Sequence, residues 1–169
     1  MDRVYCITQL ERHRDIFKQV FTGLTPEDIR WKPAPEKWCL LEVLCHLHDE
    51  EREDFRARLK HILETPEEPM PKIDPVAWVA EREYMQQDFA AMLGKFLGER
   101  DRSIAWLRGL KDPKWSNAYQ HPKVGPVSCD LILVNWVAHD LLHLRQITKL
   151  RYEKLPTITS EPLDYAGAW

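Results

Sequence analysis

The residues best placed to do chemistry lie in "NWVAHDLLHLRQITKL", Asn135 to Leu150, where two histidines stand four residues apart in the most hydrophobic part of the chain. At 100° per residue, Ile132, Trp136, His139, His143, Ile147 and Leu150 fall on one narrow helical arc. Both imidazoles therefore face a core, with their Cβ atoms about 5–6 Å apart. A single histidine on such a stripe is most often a hydrogen-bonded core residue. A pair at i, i+4 can chelate one ion, and a third ligand would complete a site.

Two metal-site patterns can be tested against "HDLLH", and both fit poorly. The zinc-protease pattern H-E-x-x-H uses glutamate as general base. Here Asp140 holds that place, one methylene shorter, and no third ligand with a glycine turn follows. Carboxylate-rich bundles need two E-x-x-H motifs, and only Asp140-x-x-His143 approaches one. Candidates for a third ligand are His13, His46 and His48. His13 shares a stripe with Cys6, Leu10, Phe17, Val20 and Leu24, and nothing else recommends it. In "WCLLEVLCHLHDEERE", Leu40, Val43, Leu44 and Leu47 put His46 at the edge of the apolar face, four residues before Glu50. Farther along, Phe55, Leu59 and Ile62 tilt that face toward His48, so periodicity leaves the choice open. With no Gly-rich phosphate loop and no Ser-His-Asp constellation, a metal would have to carry any chemistry.

Prolines outline the elements that position these residues. The twelve prolines fall in clusters at 26–35, 66–75, 113–126 and 156–162, and proline is excluded from helix interiors. Four helical segments lie between them. The first carries the His13 stripe and ends near Gly23. "TPED" at Thr25–Asp28 reads as a capped single turn. The second is expected from about Cys39 to Glu64. The third is expected from after Pro75 to Leu110, with Trp78, Met85, Phe89, Met92, Phe96, Ser103 and Leu107 on one face. At roughly 50 Å it calls for a bend near Gly94 or Gly98. The fourth runs from about Ser128 to Glu153. No stretch alternates with period two, and the glycines do not mark hairpins. The expectation is an all-α four-helix bundle, a single domain over residues 1–169. Its first and third connections, about 15 residues each, are long enough to cross the bundle, which suggests up-up-down-down winding.

Composition narrows the function. A net charge of -3 without a basic run argues against nucleic acid or an anionic membrane as partner. The start lacks a signal-peptide core, and no segment has the length and purity of a membrane span. The four cysteines form no C-x-x-C, so a reduced, cytoplasmic protein is the simplest reading. The seven tryptophans are read as packing residues. The fourth helix is apolar nearly all round, with Leu131, Leu133, Val134, Val137, Leu141, Leu142 and Leu144 outside the histidine stripe. Such an excess calls for a cover, and a homodimer is expected.

Three segments resemble the DinB-like superfamily of YfiT-like bundles. "WKPAPEKWCLLEVLCHLHDEE" is similar to the family's entry to its second helix, with Cys39 where Ser or Thr is usual. "VAHDLLHLRQI" is similar to its H-[DE]-x-x-H-x-x-Q-I stretch, and "LDYAGAW" to its Y-A-G-x-W ending. The resemblance implies an up-up-down-down bundle, often dimeric, with one divalent ion, zinc or nickel, on three histidines. Carried over, the ligands are His46, His139 and His143, leaving His48 accessory and Glu50 a candidate to orient a nucleophile or take its proton. Asp140 is the second choice for that role. Three neutral imidazoles leave a coordination position open, as in catalytic zinc sites. The implied activity is transfer to or from a low-molecular-weight thiol, or hydrolysis, on a small-molecule substrate. The rival is a non-catalytic metal-binding stress-response or interaction protein.

Overall fold

The computed structural model describes residues 1–167. The chain folds as an all-α four-helix bundle, closed at one end by a small hairpin. Helix α1 (Arg3–Val20) is capped by the Asp2 carboxylate and stops before Gly23, whose φ of 74° is open to glycine at no steric cost. The short α2 (Pro26–Arg30) has the reciprocal Thr25–Asp28 capping box that "TPED" announced.

The second bundle helix comprises α3 (Leu40–Asp49) and α4 (Arg56–Glu64), joined without a break through a π-helical stretch, Glu50–Phe55. At its start Cys39 N–H donates to the Glu42 carboxylate at 2.8 Å, so the cap works although cysteine stands where serine or threonine would serve. The wider π turn adds a residue to the helix register. The inward stripe consequently passes from His46 to Glu51, Phe55, Leu59 and Ile62, and all of these are buried. An uninterrupted α-helix was expected here. π turns of this kind occur mostly at functional sites.

The third helix differs from expectation. It begins at Phe89 rather than after Pro75: α6 (Phe89–Gly109) is capped by Asp88, while α5 (Trp78–Glu81) and a 3-10 turn (Tyr84–Gln86) precede it as separate pieces. Glu83, at φ 47°, breaks the chain between them. Gly94 and Gly98 lie inside one continuous helix, so the break replaces the anticipated glycine bend. The hairpin was not foreseen either. Strands β1 (Ala118–His121) and β2 (Gly125–Ser128) pair antiparallel, and Gly125 supplies φ 79° at the turn. It leads straight into α7 (Cys129–Lys154), capped by Ser128.

Residue pairs give the helix directions. Arg3 meets Asp130 and His13 meets Asp140, so α1 and α7 run parallel. Phe17 packs on Phe96 and Phe21 on Phe89, with Arg100 bonded to Leu10, so α6 is antiparallel to α1. The second helix opposes α7, with His46 beside His143 and Phe55 on Trp136. The winding is therefore up-down-down-up, a cyclic shift of the expected pattern, with its crossover in the middle connection. Because α6 starts late, that connection spans 65–88 and runs back along the second helix. His61 bonds Glu68, Arg82 bonds Glu53, and Tyr84 bonds Asp49 on the way.

The core is divided. One apolar cluster gathers Phe17, Leu44, Leu47, Phe96, Ile147 and Leu150. The other gathers Leu10, Phe55, Leu59, Ile104, Leu133 and Trp136. Between them, at mid-height, lies a layer of buried polar groups. Asp140, wholly inaccessible, takes Arg100 on both oxygens at 2.7 Å and His13 Nδ1 at 3.0 Å. Arg100 also reaches Glu51 at 2.9 Å, and Trp136 Nε1 donates to the same carboxylate at 2.9 Å. All four bundle helices contribute to this layer. His13 thus has a structural partner that its sequence stripe did not show.

Candidate metal centre

Beside that polar layer, where the second helix faces α7, three imidazoles converge. His139 and His143 point from successive turns of α7, and His46 meets them from α3, backed by the Trp38 ring at 4.9 Å. The Nε2 atom of His139 lies 3.3 Å from Nε2 of His46 and 3.0 Å from Nε2 of His143. Among the described residues this is the one group of histidine, cysteine or carboxylate side chains whose ligand atoms all lie within 4.8 Å of one another. The structure brings together the three histidines assigned by resemblance and leaves His48 out. His48 turns to the other side of α3 and bonds Asp49 at 3.0 Å.

The donor set fits a divalent ion. Zinc–imidazole bonds of 2.0–2.1 Å at tetrahedral angles place neighbouring nitrogens about 3.3 Å apart, close to the separations of His139 from His46 and from His143. His143 is oriented through its other nitrogen, Nδ1, which lies 2.8 Å from Gln146 Oε1. The amide oxygen can only accept, so the proton sits on Nδ1 and Nε2 presents a lone pair. His46 Nδ1 is buried without a partner, so only Nε2 of that ring is engaged. Burial, then the neighbouring imidazoles, pushes His46 and His139 down to about 3, and burial also lowers His143. All three rings are therefore neutral at physiological pH, the form that binds metal.

Around the triad, Phe55 packs against His139 at 4.9 Å and stacks on Trp136 at 5.6 Å. A cleft of about 620 Å³ opens along the outer side of α7, lined by His139, Leu142, His143, Arg145, Gln146 and Lys149. Glu50, one turn beyond His46, is buried. Burial, then its hydrogen bond to Asp54, raises its carboxyl to about 8. Asp140 is committed to the polar layer, with Arg100 and His13 on its oxygens. Sequence reasoning singled out neither Gln146 as a positioning residue nor Phe55 as part of the site wall. Gln146 could have been found from its i+3 spacing after His143, while Phe55 depends on the π turn.

A family model described as the DinB superfamily matches residues 9–147. No curated protein matches the chain. A solved structure from Bacillus subtilis, YfiT, superposes with a TM-score of 0.76 at 23% identity, covering 88% of this chain and 85% of that one. YfiT is described as "a probable metal-dependent hydrolase with an unusual four-helix bundle topology". The tail motif ends on Ala168 and Trp169, which lie outside the described residues.

Proposed function

The chain belongs to the DinB superfamily, and from that premise we propose that it is a metal-dependent enzyme acting on a small molecule. Transfer to or from a low-molecular-weight thiol is the leading reaction and hydrolysis the second, the latter favoured by the description of YfiT. The observation that carries the reading is the convergence of three neutral Nε2 atoms at the wall of an open cleft. A closed structural site would use four protein ligands, whereas three leave room for a reactant. When bound, zinc or nickel would supply Lewis acidity there and activate water or a thiol at neutral pH.

The chain's own residues do the rest. His46, His139 and His143 hold the ion, and Gln146 fixes the His143 tautomer. Glu50 is the acid–base candidate. With its carboxyl raised to about 8, it enters a neutral-pH reaction protonated and donates its proton before it can accept one.

Metal analysis of purified single variants tests the ligand set. Alanine at 46, 139 or 143 should abolish stoichiometric metal, and His48→Ala should retain it; the reverse result for 46 and 48 would overturn the assignment. Thiols with electrophiles, and amide and ester panels, should show turnover that chelator or His143→Ala removes. Equal turnover by metal-free protein would sink the mechanism. Absence of turnover on every panel would favour the non-catalytic metal-binding reading.

The assembly we propose is a homodimer built on α7. Leu131, Val134, Leu141 and Leu142 are about half exposed along its outer face, whereas Leu133 and Val137 are buried. A contiguous apolar stripe of this kind supports a second copy of the chain as its cover. Sedimentation should give a dimer at micromolar concentration, and Leu141→Asp should dissociate it. A wild-type monomer under those conditions would end the proposal.

A further inference from the structure

Beyond the triad, the cleft along α7 has a chemical character of its own. It is lined by His139, Leu142, His143, Arg145, Gln146 and Lys149, so two cations and no carboxylate face it, in a chain whose net charge is -3. Arg145 makes no ion pair or hydrogen bond among the described residues. Lys149 pairs with Glu153 at 3.5 Å, one turn on, and 55% of the lysine side chain stays exposed. An exposed pair of that kind is worth little and yields readily to a ligand. Gln146 engages its amide oxygen with His143 Nδ1, which leaves its N–H groups to donate. Apart from the imidazoles, every uncommitted polar group of this wall is therefore a donor.

Helix geometry sets these donors at a distance from the triad. With a rise of 1.5 Å per residue, Arg145 and Lys149 stand about 3 and 9 Å farther along the axis than His143. Round the helix, Leu142, the one apolar residue of the wall, lies between the imidazoles and the two cations. A molecule with its reacting atom at the triad thus lays its middle on Leu142 and brings its far end to Arg145 and Lys149. Basic residues late in a helix also complement its dipole, but that effect is confined to the last turn, where Arg151 and Lys154 already serve it. Arg145 and Lys149 lie before that turn, so the dipole does not account for them.

Resting on the reading of the triad as the reacting centre, we propose that the substrate taken there carries a terminal oxyanion, carboxylate or phosphate, several bonds from its reacting atom. Arg145 and Lys149 hold that oxyanion. The planar guanidinium takes two of its oxygens and the ammonium acts as a point charge, while Gln146 adds an amide N–H. Arg145 and Lys149 are then specificity-determining residues. They select a charged reactant over a neutral one of the same length and leave the chemistry to the triad.

The test titrates cobalt-substituted protein with mercaptobutyrate, mercaptobutyl phosphate and the neutral mercaptobutanol, and reads each affinity from the thiolate-to-cobalt absorption band. At least one charged thiol should bind about tenfold more tightly than the alcohol, and the tighter of the two identifies the oxyanion. In an Arg145→Gln, Lys149→Gln double variant, altered at two exposed positions, that preference should disappear. Equal binding of charged and neutral thiols by the wild type would overturn the proposal while leaving the role of the triad intact. So would a preference that survives in the double variant. If no thiol produced the band, the reading of the triad would fail instead, and a second titration decides the oxyanion site by itself. Butyrate and butyl phosphate, followed by NMR at the Gln146 side-chain amide of metal-free protein, should give a saturable shift that the double variant loses. An amide unmoved by both would end the proposal.

Discussion

His139 and Asp140 are neighbours in sequence, yet they serve two regions built on opposite principles. His139 joins a triad of uncharged rings at the wall of an open cleft, where burial keeps every imidazole neutral. Asp140, turned about 100° further round α7, joins a sealed layer of full charges with Arg100 and Glu51. The triad gains its energy from an ion it must bind. The charged layer is held by its own counter-charges, with Glu51 Oε1 and Arg100 Nε buried and left without hydrogen-bond partners. Burial would lower the Arg100 pKa, but Asp140 and Glu51 outweigh it and hold the guanidinium firmly charged. By holding Asp140 through Arg100 and His13, the layer fixes the rotation of α7, and this rotation aims the triad.

The sharpest way to break this picture is Asp140→Asn. It leaves Arg100 buried with half its partner charge gone, and breaking a buried pair costs about 3–5 kcal/mol. Urea denaturation of metal-free protein should show that loss. His143→Ala, at the half-buried triad, should change metal-free stability by about 1 kcal/mol or less. If the two variants were equally stable, the division between a structural layer and a ligand-binding triad would fail.

The two regions were also unequally legible in sequence. The α7 pair was plain because His139 and His143 repeat on one helical stripe. The choice of His46 over His48 needed the resemblance, because the π turn changes which face of the second helix points inward. Nothing in the spacing around His13, Glu51, Arg100 and Asp140 announced their meeting, since each comes from a different helix and pairing across a bundle leaves no local period. The helix ends were readable where caps and prolines set them, as at Thr25–Asp28 and Ser128. The third helix starts later than its apolar period implies, because Trp78 and Met85 continue that period from separate pieces while the Asp88 cap sets the true start. Moving that start lengthened the middle connection and altered the winding. The hairpin escaped because its strands are four residues each and carry no alternation.

A second prediction tests the neutrality of the triad. His46 and His139 are lowered from the ordinary 6.5 to about 3, so below pH 6.5 the unfolded chain takes up protons that the fold refuses. Their contribution to stability is therefore present above pH 6.5 and is lost progressively down to about pH 3. Measured in metal-free protein against a His46→Gln, His139→Gln double variant, the wild type should lose on the order of 2–4 kcal/mol more between pH 7 and pH 5. Parallel pH profiles would mean that the rings are already solvated or protonated at neutral pH.

The smallest expected effect has the opposite sign and comes from Glu50. Its carboxyl is raised from 4.5 to about 8, first by burial and then by Asp54, so the folded chain keeps a proton that the unfolded chain releases. Its contribution is fully present below pH 4.5 and is lost as pH rises through 8, opposing the histidines across the same range. Glu50→Gln keeps a neutral amide in that place at every pH. The variant should nearly match the wild type at pH 4.5 and exceed it by about 2 kcal/mol at pH 6, in thermal or urea denaturation of metal-free protein. The same substitution removes the proton that Glu50 would supply in catalysis, so a stabilised but slowed enzyme is the expected combination. If Glu50→Gln were destabilised at pH 8, the carboxyl would have to be ionised in the fold, and its role as a proton donor would be excluded.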